Sequence, residues 1–345
     1  MVAIQENIAL APLTTLGVGG AARYFAAAHT VDEATEALVW ARERGLPVFI
    51  LGGGSNLVVS DAGFAGLVLH VAIAGLTVRD VAGRRIYLVG AGIEWDTFVS
   101  RAVDDNCGGI ECLSGIPGSV GATPVQNVGA YGQEVAESIV RVEAIALDSL
   151  APTVFEHDAC GFHYRHSRFN SADAGRYLIT RVEFALTPGA APRLDYADLQ
   201  RHFASNPTPS LAEVRQAVLT IRGRKGMVID ENDPDSRSAG SFFRNPVVSV
   251  AHYQSIVAAS SEPVPHYAAP AGALKLPAAW LIEHSGLHRG FAIGEAAISG
   301  KHTLALVNRG HATAADILHL RDHIQRRVRE RFAVDLEPEP VLLGF

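Results

Sequence analysis

Residues 111–132, ECLSGIPGSVGATPVQNVGAYG, limit more than any other stretch what this chain can become. Seven of these 22 residues are glycine or proline, and no helix or strand tolerates that punctuation through its interior. The stretch is therefore expected to run as a shaped loop. Loops this long without elements of their own are uncommon in compact domains unless they carry function. Successive backbone N–H groups in Gly-rich turns converge on anions, and small side chains let a flat ligand lie against the main chain. Gln126 and Asn127 add the donors and acceptors that a heterocycle edge requires. A cofactor cradle is the expectation, and a long structural loop is the alternative.

A second glycine run supports the cradle. LPVFIL (46–51) predicts a buried strand that runs directly into Gly52-Gly53-Gly54-Ser55-Asn56. Three glycines after a strand permit close backbone approach to a ligand, but the Lys-Ser/Thr ending of a phosphate-binding P-loop is absent, which argues against a nucleoside triphosphatase. Two Gly-rich loops together suit a long, bipartite cofactor. Gly17, Gly19 and Gly20 in TTLGVGGAARYF match a dinucleotide fingerprint poorly and are expected to form a turn.

The totals narrow the function classes. A net charge of −7 over 345 residues argues against non-specific nucleic-acid binding. Cys107, Cys112 and Cys160 form neither an even framework nor a CxxC pair, which fits a reducing cytoplasm. No basic, apolar leader opens the chain, and no run of about twenty apolar residues could span a bilayer. A soluble, two- or three-domain protein is expected.

Local signals predict the following elements. Thr30 and Glu33 have capping-box spacing for a helix ending near Arg44, with Gly45 as its stop. Strands are expected within 67–92, at 139–147 and at 177–186, with a short helix over 94–107. RHFASNPTPS (201–210) resembles a linker. Ser210 and Glu213 open a helix with the apolar stripe Leu211, Val214, Val218, Ile221, ending in Arg222, Arg224 and Lys225 as the helix dipole favours. Pro277 starts a helix carrying Trp280 and Ile282. Thr313 and Asp316 open the last long helix, with Ile317, Leu320, Ile324 and Val328 as its buried face. The C-terminus is strand-like.

Three segments could carry chemistry. FHYRHSRF (162–169) sets Arg165 among aromatic rings, where a partly desolvated guanidinium suits a carboxylate; a packed cation–π pair is the alternative. Ser241 follows a glycine in AGSFFRNP but lacks a GxSxG elbow, so it suits proton donation better than nucleophilic attack, and most such serines are turn residues. Glu337 and Glu339 share one side if extended, although an acidic, proline-bearing C-terminus commonly forms a solvated tail. His157, His163 and His166, and the pair His284 and His288, lack zinc-type companions, so no metal is expected.

The motifs TTLGVGG, LGGGSNLVVSD, SGIPGSVGATPVQNVGAYG, YRHSRF, AGSFFRNP, KLPAAWLIEHSG and LEPE, in that order, resemble the bacterial UDP-N-acetylenolpyruvoylglucosamine reductase (MurB) family, type I branch, over nearly the whole chain. The resemblance implies an α+β fold. A two-part flavin domain of the PCMH or vanillyl-alcohol-oxidase type would comprise residues 1–66, joined by 336–345, and 67–205. A separate α/β substrate-binding domain would occupy 206–335.

The same resemblance implies FAD and NADPH as cofactors and UDP-N-acetylenolpyruvoylglucosamine as substrate, in a ping-pong reduction that serves peptidoglycan precursor synthesis. The enolpyruvyl methylene takes a hydride and Ser241 protonates C2, while Arg165 and Glu339 stabilise the enolate. FAD contacts are expected at Gly52, Gly53, Gly54, Ser55, Asn56, Leu57, Ile116, Pro117, Gly118, Gly121, Ala122, Gln126, Asn127, Gly129 and Ala130. Substrate contacts are expected at Tyr131, Tyr164, Tyr196, Lys225, Arg244, Asn245, Tyr267 and His302. A cytoplasmic monomer without nucleic-acid partners or membrane insertion is the implied state. An oxidase of the same fold is one rival, though the Gly-rich loops offer no His or Cys for covalent flavin attachment. A non-catalytic nucleotide-binding module is the other.

Overall fold

The computed structural model describes residues 2–345, and the chain divides into two compact units. The first comprises residues 2–9, Ala21–Gly54 and Phe64–Arg224; the second comprises Leu10–Gly20, Ser55–Gly63 and Lys225–Phe345. Among the described residues no helix is long and apolar enough to cross a membrane.

The first unit holds two larger sheets and a two-stranded ribbon, Gly129–Ala130 with Gln133–Glu134. The smaller has the order Gln5–Ala9, Ala21–Ala28, Phe64–Val71, Val48–Leu51, with the first pair antiparallel and the others parallel. The helix Val31–Glu43 begins where Thr30 accepts the Glu33 N–H and packs with Ala34, Ala37, Leu38 and Ala41 buried. Glu33 reaches one residue further back than a capping box requires, accepting the His29 N–H at 2.7 Å. Val48–Leu51 lies at the sheet edge, so only Leu51 is fully buried, short of the buried strand expected there.

The larger sheet is antiparallel, in the order Pro152–Glu156, Ile139–Ala146, Tyr177–Pro188, Arg84–Gly90, Leu76–Val81. Trp95 and Phe98 of the helix Trp95–Asp104 pack on it with Tyr87 and Phe184, all buried, at ring separations of 4.8–5.9 Å. The segment 201–210 is only partly a linker. The helix Ala197–His202 runs into it, and Phe203 is buried with Leu199, Val214 and Val218. The Leu211–Arg224 helix has its expected Ser210–Glu213 box and apolar stripe. Arg222 stands in the last turn as expected, but it is buried, and burial pushes its pKa down.

In the second unit Ser238–Ser241, Ala305–Asn308, Ala296–Ile298 and Ala292–Ile293 form an antiparallel sheet. The Ala314–Phe332 helix is closed at its start by the reciprocal Thr313–Asp316 box, and Ile317, Leu320, Ile324 and Val328 are buried beneath it. Val341–Leu343 pairs in parallel with Leu57–Val59, so distant sequence segments share one ribbon. Gly19 is required there, because a Cβ would sit 2.4 Å from the Val59 Cβ and φ is +111°.

Candidate active site

In the first unit the two Gly-rich loops lie backbone to backbone. A Cβ on Gly53 would stand 2.5 Å from the Gly118 Cα, and one on Gly52 would stand 2.8 Å from the Ser119 Oγ. Gly115 and Gly118 adopt φ of +69° and +125°, which L side chains rarely tolerate. The glycines are thus needed as much for one loop to approach the other as for either to approach a ligand. The central loop is largely irregular, interrupted by short 3-10 turns at Glu111–Leu113 and Val120–Ala122 and by the two-residue strand Gly129–Ala130.

Rigid neighbours pin this loop. Trp95 Nε1 donates to the Leu113 carbonyl at 3.0 Å, and the Gly121 N–H donates to Ala91 at 2.9 Å. The Gly115 N–H donates to Asp96 Oδ1 at 2.6 Å, and Arg215 grips both Asp96 oxygens at 2.6 and 2.7 Å. Ile116, Pro117, Gly118, Gly121, Ala122, Gln126, Gly129 and Ala130 remain only partly covered. A stacked, glycine-built cradle with half-open edges fits a long flat cofactor such as FAD.

Two expected cofactor ligands have other work. Asn127 is 1% exposed, with its Oδ1 accepting the Ala136 N–H at 3.1 Å and its Nδ2 donating to Glu134 at 2.7 Å and the His163 carbonyl at 3.0 Å. Its carboxamide is spent on protein groups beyond the loop and does not present a heterocycle-facing edge. Leu57 is buried in the ribbon with Val341, so its side chain belongs to the core.

Arg165 sits at the tip of a tight hairpin. His163 and His166 exchange backbone hydrogen bonds at 2.9 and 3.0 Å, and Arg165 itself has a φ of +54°. Its guanidinium lies 5.3 Å from the Tyr164 ring centre, and Nη2 donates to the Gly129 carbonyl at 2.8 Å. The cation–π contact and the anchored guanidinium are therefore both present, and they tie the hairpin to the central loop. Tyr131 is buried and meets the exposed Tyr196 edge-on at 5.2 Å, while Tyr164 is itself exposed.

The second unit brings the GSFFRNP and LEPE segments side by side. Ser241 ends its strand opposite Ala305. The next residue, Phe242, accepts the Glu339 N–H at 2.9 Å, Phe243 bridges to Pro338, and the Arg244 N–H donates to Glu337 at 2.9 Å. Asn56 clasps the same strand, donating from Nδ2 to the Glu339 carbonyl at 3.2 Å and accepting the Val341 N–H at 3.0 Å. Leu336 is buried and the backbone is paired, so the C-terminus is not a solvated tail.

Arg244 carries a buried Nε with no acceptor among the described residues, and its Nη1 is 3.9 Å from Glu337 Oε2. A buried donor of this kind suits a phosphate or carboxylate oxygen. Asn245 has a structural duty, its Oδ1 accepting the Ala278 N–H at 2.9 Å at the start of the Ala278–His284 helix. Tyr267 is exposed on a small ribbon paired with Lys275, and Lys225 and His302 are half-buried. Sequence reasoning missed Asp96, Arg215 and Glu134. Each is an ordinary charged residue within a helix or a short strand, and no local signal marks its partner.

Comparisons with known proteins give the family. Residues 22–149 match the FAD binding domain family, and residues 233–343 match the C-terminal domain family of UDP-N-acetylenolpyruvoylglucosamine reductase. The chain is 44% identical to the UDP-N-acetylenolpyruvoylglucosamine reductase of Thermobifida fusca, covering 98% of each chain. It is 45% identical to that of Nocardia farcinica, covering 99% of this chain and 90% of the relative. The crystal structure of the Thermus caldophilus UDP-N-acetylenolpyruvylglucosamine reductase (MurB) aligns over all of both chains with a TM-score of 0.67 at 27% identity.

Proposed function

The chain belongs to the UDP-N-acetylenolpyruvoylglucosamine reductase family, an FAD-binding oxidoreductase family, and on that premise we propose that it reduces UDP-N-acetylenolpyruvoylglucosamine to UDP-N-acetylmuramate with NADPH, in peptidoglycan precursor synthesis. The duties divide along the chain. Residues 1–66 with 336–345 and 67–205 hold the flavin, and 206–335 hold the UDP-sugar. This is a division of ligand duty rather than of packing, because the Leu211–Arg224 helix packs within the first unit.

A bound FAD supplies a two-electron carrier between NADPH and the enolpyruvyl double bond. Gly52–Gly54 and the 115–130 cradle hold it. Reduction at the methylene carbon pushes negative charge onto C2 and its carboxylate. Arg165, anchored through Gly129, stabilises that charge as it develops, usually the largest single catalytic contribution. Glu339, in its protonated form, donates a hydrogen bond to the same carboxylate, and Ser241 delivers the proton to C2. A carbanionic carbon is a strong base, so the placement of the hydroxyl matters more than its acidity. Arg244 receives an anionic oxygen of the substrate or the nicotinamide cofactor, and Tyr267 closes over the nucleotide.

The observation that carries this reading is the pairing of Phe242 with Glu339, which sets a hydroxyl and a carboxylate on adjoining extended segments. The test is an anaerobic titration of the purified protein. A flavin spectrum that bleaches with NADPH and recovers on addition of the enolpyruvyl substrate is expected. Ser241→Ala should bleach normally and recover about 10²–10⁴-fold more slowly. A protein that takes up no FAD would sink the proposal. Recovery with oxygen alone would favour an oxidase.

A further inference from the structure

We propose that Glu134 and Asn127 are positioning residues for Arg165, acting on the step that consumes the enolpyruvyl substrate rather than on flavin binding. The inference rests on the reading of Arg165 given above. A connected set of contacts within the first unit supports it. Residues Gly129–Ala130 and Gln133–Glu134 form a two-stranded ribbon in which Glu134 is paired with Gly129. The Gly129 carbonyl at one end of that ribbon receives the Arg165 guanidinium at 2.8 Å. The Glu134 carboxylate, on the residue opposite, receives the Asn127 Nδ2 at 2.7 Å.

Asn127 then holds the base of the Arg165 hairpin. The same Nδ2 donates to the His163 carbonyl at 3.0 Å, two residues before Arg165. Asn170 closes the other side by donating to the Arg165 carbonyl at 3.1 Å. Two further features show that the arrangement is held under constraint. Arg165 has a φ of +54°, uncommon for a long side chain and kept in place by these contacts, while Asn127 has one of +43°, which asparagine adopts more readily than most residues. Asn127 is also 1% exposed, and both of its amide hydrogens and its oxygen are used by protein groups.

Glu134 is thus the acceptor that orients the Asn127 amide. Without it, Nδ2 loses one of its two acceptors, and the hold on His163 loosens. The guanidinium then samples positions away from developing charge, and misplacement of about 1 Å costs up to about a hundredfold in rate.

The experiment measures the two half-reactions separately on the full-length flavoprotein for Glu134→Ala, Glu134→Gln, Asn127→Asp and Arg165→Ala. Glu134→Gln keeps an acceptor oxygen of the same reach, whereas Glu134→Ala removes it. Re-oxidation by saturating enolpyruvyl substrate is expected to fall about 10–100-fold in Glu134→Ala and to stay within about threefold of wild type in Glu134→Gln. FAD content and the rate of bleaching by NADPH should match wild type in both. Asn127→Asp, which places two carboxylates together, should resemble Glu134→Ala or be worse. If Glu134→Ala lowers FAD content, or slows both half-reactions equally, these residues belong to the cradle and the inference is overturned. Normal re-oxidation in Glu134→Ala alongside impaired re-oxidation in Arg165→Ala also overturns it while leaving the role of Arg165 standing. Normal re-oxidation in Arg165→Ala itself refutes both.

Discussion

Replacing Asp96 tests how the turn at Gly115 is held in place. Asp96 takes both Arg215 N–H groups and the Gly115 N–H, all within 2.7 Å. Side-chain exposures of 27% for Asp96 and 16% for Arg215 place the pair between the surface and the interior. A fully exposed pair is worth about 0–1 kcal/mol. Stripping one partner from a fully buried pair costs about 3–5 kcal/mol. Bidentate geometry at intermediate burial sets the expected cost of Asp96→Ala at about 2–3 kcal/mol. At roughly 2–4 °C per kcal/mol for a unit of this size, the melting transition should fall by about 4–12 °C.

The assay is thermal unfolding by circular dichroism, with FAD content measured on the same samples. Arg215→Ala and the double variant complete a cycle in which the coupling should exceed about 1 kcal/mol. Coupling below about 0.5 kcal/mol would show that the pair acts as an ordinary surface contact and refute the reasoning. The pH dependence gives a second check. Burial works to raise the Asp96 carboxyl, but the Arg215 fork and the Gly115 N–H outweigh it and hold the group below its ordinary value. A depressed folded-state pKa contributes stability that is present above the unfolded value and lost as pH falls through the folded one. The wild-type advantage over Asp96→Asn should therefore be full at pH 7 and shrink only below about pH 4.

Gly53→Ala would drive a Cβ to 2.5 Å from the Gly118 backbone, so an overpacking cost of about 1–3 kcal/mol and a loss of bound FAD are expected, read from the flavin absorbance per chain. Asn308 is 3% exposed, donates to the Leu16 and Gly17 carbonyls and accepts the Gly310 and Ala312 N–H groups; Asn308→Ala should destabilise the second unit by about 2–3 kcal/mol in denaturant titrations. Thr313→Ala, which opens the reciprocal cap of the last helix, should cost about 1 kcal/mol in the same titration. All three thiols are buried, and burial pushes Cys160 up to about 11, so a thiol reagent at pH 8 should label the native chain slowly and the denatured chain at three sites.

Signals confined to a few residues were legible without the structure. The Thr313–Asp316 and Ser210–Glu213 boxes and the stripes behind them appear where their spacing places them, because capping and amphipathicity act within one or two helical turns. The irregular course of 111–132 was legible too, since glycine and proline act on their own backbone. Less visible was anything set by a distant partner. Phe203 looked like part of a linker until Leu199 and Val214 enclosed it. Arg222 was legible as a cation at a helix end, but its burial was not. Asn127 looked like a ligand for a heterocycle and holds His163 and Glu134.

The sequence by itself determined which backbone could bend sharply, which faces had to be buried and which side chains carried chemistry, because these are properties of each residue and its near neighbours. Tertiary structure alone decided that Gly53 lies against Gly118, that Leu57–Val59 joins Val341–Leu343, and that Phe242 pairs with Glu339. These contacts join segments tens to hundreds of residues apart. Their formation depends on the summed burial of the sheets and helices around them, which no local window contains.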